Sequence, residues 1–189
     1  MSTPKVESEK HGELNCWRIT TEHAELLVAQ QGAQVLSYQR IGEPPLLWLS
    51  DQAIFKQGKS VRAGVPVCWP WFGQLSRNPQ AVQSMYKGSD ASAHGLVRGR
   101  DWQLSGIDSS AENVRIDFTL PESCGDLPGW PHNVELTLSI VMGEQLSITL
   151  TSYNLDNVPV TISQALHSYF AVSDVRNVQV EGVDGLGYI

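Results

Sequence analysis

Three short stretches of the chain carry side chains whose types and spacing could do chemistry. The first is Arg62-Ala63-Gly64-Val65-Pro66-Val67-Cys68-Trp69-Pro70-Trp71-Phe72-Gly73. Pro66 and Pro70 forbid a regular central strand, so this is a shaped, partly buried loop. Its rings, Trp71 foremost, beside the Arg62 guanidinium form a surface that could stack on a sugar and grip an anion. A satellite hydrophobic cluster capped by Arg62 fits the same residues. The second stretch, His94-Gly95-Leu96-Val97-Arg98-Gly99-Arg100, puts a histidine and two arginines between glycines that permit a tight turn. Arginine can fork onto a phosphate, although a histidine in such a turn is often only a surface residue. The third, Gln164-Ala165-Leu166-His167-Ser168-Tyr169-Phe170, spaces His167 and Tyr169 two apart, on one side of a strand. The alternative there is a core histidine whose ring nitrogens are satisfied by backbone groups.

Charge sharpens the anion reading. The 189 residues carry a formal net charge of -7, which argues against a general nucleic-acid binder. Between Lys56 and Arg100, however, seven basic residues (Lys56, Lys59, Arg62, Arg77, Lys87, Arg98, Arg100) face one acid, Asp90. A local basic island on an acidic protein fits a small anion better than a long polyanion. Scatter around a solvated rim is the plain alternative.

The elements that must position these residues read as β. Apolar side chains alternate in Val114–Leu120, Val134–Ile140 and Leu146–Leu150, which puts one face of each strand in a core. Met142-Gly143-Glu144-Gln145 joins the last two as an antiparallel hairpin, and Asn154–Pro159 makes the next turn before Val160-Thr161-Ile162. Upstream, Glu25–Ala29, Gln34–Tyr38 and Leu46–Leu49 read as short strands broken by Gly32, Gly42 and Pro44-Pro45. No long amphipathic helix is evident. Many short strands at close intervals make an all-β sandwich or barrel. With no linker, repeat or low-complexity stretch, residues 13–189 read as one domain behind a flexible segment over residues 1–12. A composition of 41% hydrophobic and 17% charged residues excludes a disordered chain. No apolar run approaches the ~20 residues that span a bilayer, so no membrane association is expected. Met1–His11 has neither signal-peptide nor transit-peptide character. Cys16, Cys68 and Cys124 lack zinc-ligand or redox spacing and read as reduced thiols of a cytoplasmic protein.

Together with Trp130-Pro131-His132, the three stretches resemble the ordered signatures of the hexose-6-phosphate mutarotases, the glucose-6-phosphate 1-epimerase branch of the aldose 1-epimerase superfamily. The resemblance runs from about Leu26 to the last residue. It implies a β-supersandwich of the galactose mutarotase type and exchange of the α and β anomers of a hexose 6-phosphate, without metal or organic cofactor. It makes His167 the general acid, Arg62 and Arg98 the grip on the sugar phosphate, and His94 a residue of the same pocket. Some relatives carry a substrate-contacting Gln where this chain has Ala93. The family's members tend to work without an obligate partner, which implies a monomer acting on a small molecule.

The chemistry explains those residue types. A pyranose exchanges anomers by breaking C1–O5, turning about C1–C2 and closing on the other face. The ring oxygen must receive a proton and the anomeric hydroxyl must lose one. Histidine, with an ordinary pKa of about 6.5, can do the first at neutral pH. A carboxylate on the opposite side of the ring should do the second. The resemblance puts that base on a glutamate of a later strand, with a substrate-binding aspartate before it. The only acids after His167 are Asp174, Glu181 and Asp184, and none sits in the base's motif. The chain therefore reads as the first two thirds of the family domain, incomplete at its C-terminus. A non-catalytic sugar-phosphate-binding or regulatory module, and a purely structural β-domain, are the competing readings.

Overall fold

The computed structural model describes residues 4–110 and 113–185. Met1–Thr3, at the head of the segment expected to be flexible, and Leu186–Ile189, at the other end of the domain, lie outside the described residues. Strands β1 (Lys5–His11), β2 (Leu14–Thr20), β3 (Ala24–Ala29) and β4 (Gln34–Arg40) form an antiparallel meander in sequence order. A two-residue strand, β5 (Val67–Cys68), follows the Pro66 turn. Strands β6 (Gln103–Ser109), β7 (Val114–Thr119), β8 (Val134–Met142) and β9 (Leu146–Asn154) make a second antiparallel meander, and β10 (Ala165–Leu166) returns to pair with β5. The sole α-helical turn among the described residues, α1, spans Gln80–Gln83.

The two meanders close on one core. Ile19, Leu26, Val28 and Val35 of the first sheet share it with Ile116, Phe118, Leu136 and Leu138 of the second. Strand β3 is buried on both faces, because Leu27 and Ala29 pack into a second cluster with Leu14, Cys16, Leu36, Val61 and Ala63. That explains its unbroken apolar run. In β8 every second residue, from Val134 to Met142, is no more than 2% exposed. Each such side chain contributes roughly 1.5–3 kcal/mol of burial.

Two expectations need correction. Lys5–His11 is not a flexible lead-in but an edge strand paired with β2 along its whole length, Lys5 opposite Thr20 through His11 opposite Leu14. Its charges suit an edge, where one side of the strand meets water. Glu9 accepts from Arg18 Nε at 2.9 Å and Nη2 at 2.7 Å, and Arg18 also binds Glu25. Arg18 holds the Glu9 carboxyl down at about 2. Leu46–Leu49, expected as a strand, makes only single bridges, Leu47 to Phe170 and Leu49 to Ala63. Pro44 and Pro45 supply no N–H to a ladder. Strand β10 is likewise too short to be a sheet in its own right, but it places the third motif beside the first.

Candidate active site

The first and third motifs run antiparallel in strict register. Ser163 N–H donates to Pro70 O at 2.9 Å, His167 N–H to Pro66 O at 3.0 Å and Tyr169 N–H to Gly64 O at 2.8 Å, flanking the Ala165–Cys68 pair of β10 and β5. The second motif lies on the other side of the first. Leu96 N–H donates to Trp69 O at 2.8 Å and His94 N–H to Gly73 O at 2.8 Å. Gly95 bridges Trp69 there with φ +83°, and a Cβ on it would land on the Trp69 carbonyl oxygen. Only glycine allows that approach. Gly64, at φ +51°, is forced in the same way against the Val35 carbonyl. The motifs are thus sewn together by backbone bonds that proline and glycine positions permit.

This stitching gathers rings. His94 and His167 meet edge to face with centroids 5.8 Å apart, and Phe72 lies 5.1 Å from His94 and 5.8 Å from His167. Tyr169 packs against His167 at 4.7 Å, as the two-residue spacing anticipates, and Trp48, 43% exposed, lies 5.9 Å from Tyr169. Trp48 lies outside the motifs, and its partner is set by the bond from Trp48 N–H to Tyr169 O at 2.9 Å. Only the tertiary pairing could have found it.

The two histidines are held differently. Among the described residues His167 Nδ1 is buried and makes no hydrogen bond, so His167 is not a core histidine with both nitrogens satisfied. His94 has a left-handed backbone, φ +66°, and its Nδ1 accepts from Gly73 N–H at 3.2 Å. Such a conformation is uncommon for a residue with a side chain and gathers at functional sites. Burial, reinforced by the charges of Arg98 and His167, pushes the His94 imidazole below its ordinary pKa. His94 is therefore held towards the neutral form.

Two cavities open here and share Ala93 in their walls. One, of about 640 Å³, is lined by His94 and Phe72 together with Gln74, Arg77, Asn78 and Ser163. The other, of about 500 Å³, is lined by Arg98, Arg100, Ser92, Asp101 and Glu122 among others. Both are in the size range of small-molecule sites. Arg98 Nε and Glu122 Oε2 are buried there without a hydrogen bond among the described residues. Arg62, in contrast, is exposed and lines neither cavity; it precedes Gly64, the residue bonded to Tyr169.

Trp71 is not available to stack on a sugar. It is fully buried, packs edge-on to Tyr86 at 5.1 Å, and donates from Nε1 to Ser92 O at 3.0 Å. An indole that spends both face and N–H inside the protein supports the loop, and the rings that line the cleft are Phe72 and His94, with His167 packed against both but in the lining of neither cavity. The Trp130-Pro131-His132 motif is also framework: Trp130 is buried 5.2 Å from Trp69, and His132 Nε2 pairs with Met85 O at 3.0 Å. Among the described residues no group of three or more His, Cys, Asp or Glu side chains converges as metal ligands would.

The aldose 1-epimerase family model matches residues 15–188. The chain belongs to that family. A relative from Escherichia coli (strain K12), named "Putative glucose-6-phosphate 1-epimerase", is 34% identical over 181 residues, which cover 96% of this chain and 56% of the relative. A Salmonella typhimurium protein of the same name is 33% identical over the same shares of the two chains. The crystal structure of YeaD from Salmonella typhimurium superposes with a TM-score of 0.76 at 30% identity, covering 91% of this chain and 53% of that one. A galactose mutarotase-like protein from Clostridium acetobutylicum shares the fold at 17% identity, with a TM-score of 0.67. This aldose 1-epimerase family member therefore has the galactose mutarotase type of β-sandwich. It spans about half the length of the curated relatives it matches, rather than the two thirds expected. No described helix is long and apolar enough to cross a membrane.

Proposed function

We propose that the protein serves the exchange of α and β anomers of a hexose 6-phosphate, with His167 as general acid. The observation that carries this reading is the edge-to-face contact, at 5.8 Å, of His167 with His94, which lines the 640 Å³ cavity and feels the Arg98 charge. In the proposed reaction His167 gives a proton to the ring oxygen as C1–O5 breaks, and the aldehyde forms as the anomeric hydroxyl loses its own. Rotation about C1–C2 and reversal of both transfers close the other anomer. Tyr169 and Phe72 flank the His167 ring and fix its plane, which serves the near-attack geometry that proton transfer needs. His94, kept neutral, lines the cleft without adding a charge that would oppose a protonated His167. Arg98, with Arg62, would hold the phosphoryl group, as the family resemblance implies; binding energy from that remote group orients C1. No metal or organic cofactor enters this scheme, and the protein is proposed to act as a single chain in the cytoplasm.

A second reading has its own support. Among the described residues no Asp or Glu lines the cavity beside His94, and Asp174, the first acid after His167, is engaged by Arg176 at 2.8 Å. A cleft without a carboxylate base favours binding of the sugar phosphate without turnover. The two readings separate in one experiment. Anomer exchange of glucose 6-phosphate is followed by polarimetry or NMR magnetisation transfer with the purified chain. Exchange faster than buffer, falling on the order of 10²- to 10⁴-fold towards the buffer rate in His167→Asn, supports the acid role. A rate equal to buffer with binding intact supports the binding module instead.

A further inference from the structure

One member of the basic island, Arg77, is used by neither reading. It ends the short 3₁₀ turn Leu75–Arg77, is exposed, and lines the 640 Å³ cavity. Four other arginines show what this chain does with a guanidinium it uses for structure: Arg18, Arg40, Arg115 and Arg176 each pair with a carboxylate. Arg62, Arg98 and Arg100 make no side-chain hydrogen bond or ion pair among the described residues, and none of the three lines this cavity. The Arg77 side chain has no hydrogen bond or ion pair among the described residues. Among the described residues it is also the one Arg, Lys, Asp or Glu in the lining of that cavity, so no carboxylate there opposes its charge.

The backbone that carries it is nonetheless pinned. Asn78 Nδ2 donates to Phe72 O at 2.8 Å and to Gln74 O at 2.9 Å, and Gln83 Nε2 donates to Asn78 O at 2.6 Å. The first of these ties the turn directly to Phe72, the ring packed on both histidines. An unpaired guanidinium on an anchored turn, in the lining of the same cavity as His94 and with no carboxylate among the described lining residues, is an available anion donor.

We propose that Arg77 recognises the phosphoryl group of the ligand from the His94 side of the cleft and separates phosphorylated from free hexoses. This rests on the hexose 6-phosphate reading, and adds to it a residue outside the family motifs quoted above. A phosphate dianion accepts two parallel N–H bonds from one guanidinium, a contact that a free hexose cannot replace. Arg77 then acts as a specificity residue, with no part in proton transfer.

The test titrates the purified 189-residue chain with glucose 6-phosphate and with glucose, by calorimetry or NMR, for the parent, Arg77→Gln, Arg77→Lys and Arg98→Gln. Loss of one charge-assisted contact should weaken glucose 6-phosphate binding by on the order of 10- to 100-fold in Arg77→Gln and leave glucose binding unchanged. Arg77→Lys should recover part of the loss, because the charge returns without the fork. Unchanged thermal unfolding of Arg77→Gln keeps the result about binding. If the parent prefers glucose 6-phosphate, Arg77→Gln keeps that preference and Arg98→Gln loses it, Arg77 is overturned and the wider reading stands. A parent chain that binds neither sugar, or binds both alike, overturns the wider reading and this one with it.

Discussion

Strands β8 and β9 pair residue for residue from Val134–Asn154 to Met142–Leu146, yet they live in different surroundings. Along β8 the inward residues are sealed, none more than 2% exposed. Along β9 the matching residues Leu146, Ile148 and Leu150 are only half-buried. At the end of β9 and beyond it large apolar side chains stand in water: Tyr153 is 63% exposed, Phe170 60%, Val175 77% and Val180 74%. The site lies across this divide. His94 and Phe72 come from loops braced by the sealed core, whereas His167 and Tyr169 come from the more open stretch after β9. Alternation in sequence tells which way a side chain faces and says nothing of what covers it. His167 is therefore held by a few backbone bonds to the first motif, and His94 and Phe72 by a packed interior.

The contrast can be broken at three points of decreasing size. Leu138→Ala, in β8, should cost about 2–5 kcal/mol in urea unfolding, because the core around it cannot collapse fully. Leu150→Ala, its cross-strand neighbour on β9, should cost clearly less; equal losses would mean that the two faces are covered alike. Trp71→Phe should cost about 1–3 kcal/mol through a lost hydrogen bond and a smaller ring. Its affinity for glucose 6-phosphate should stay that of the parent, and a selective loss of sugar binding without loss of stability would restore Trp71 to the cleft. The smallest effect concerns pH. His94 in the folded chain sits below its ordinary 6.5, so on acidification the unfolded chain takes up this proton first. The stability that neutral His94 contributes is complete above about pH 6.5 and is lost as pH falls through the folded value. His94→Gln should flatten the fall of the urea midpoint between about pH 7 and 5, while a variant as steep as the parent would remove His94 as its source.

The regular half of the fold was legible because its strands bury one face each. Val114–Leu120, Val134–Ile140 and Leu146–Leu150 alternate cleanly, and the Gly143 hairpin follows. Strands β1 and β6 escaped because their side chains are mostly polar: Lys5, Glu7 and Lys10 in one, Gln103, Ser105 and Asp108 in the other. Their strand character comes from ladder bonds to a neighbour, which leave no apolar period behind. In the site, the motif order was readable, and so was the His167–Tyr169 approach, which needs only local extension. The His94–His167 contact was not, since it depends on two segments about seventy residues apart meeting across Trp69 and Pro66. Trp71 misled for a related reason. An aromatic in a proline-rich loop looks available until the loop folds back over it, as Tyr86 and Ser92 do here. Arg77 was visible as one of seven basic residues, but nothing local set it apart from the rest.

The bond from Gly73 N–H to His94 Nδ1 has a consequence for ligands. It occupies the imidazole's lone pair, so the mobile proton of the neutral ring must reside on Nε2. On its second nitrogen the ring offers a hydrogen and has no lone pair to give. A hydroxyl or ring oxygen can meet it with an electron pair, whereas a protonated amine in the same place would set hydrogen against hydrogen.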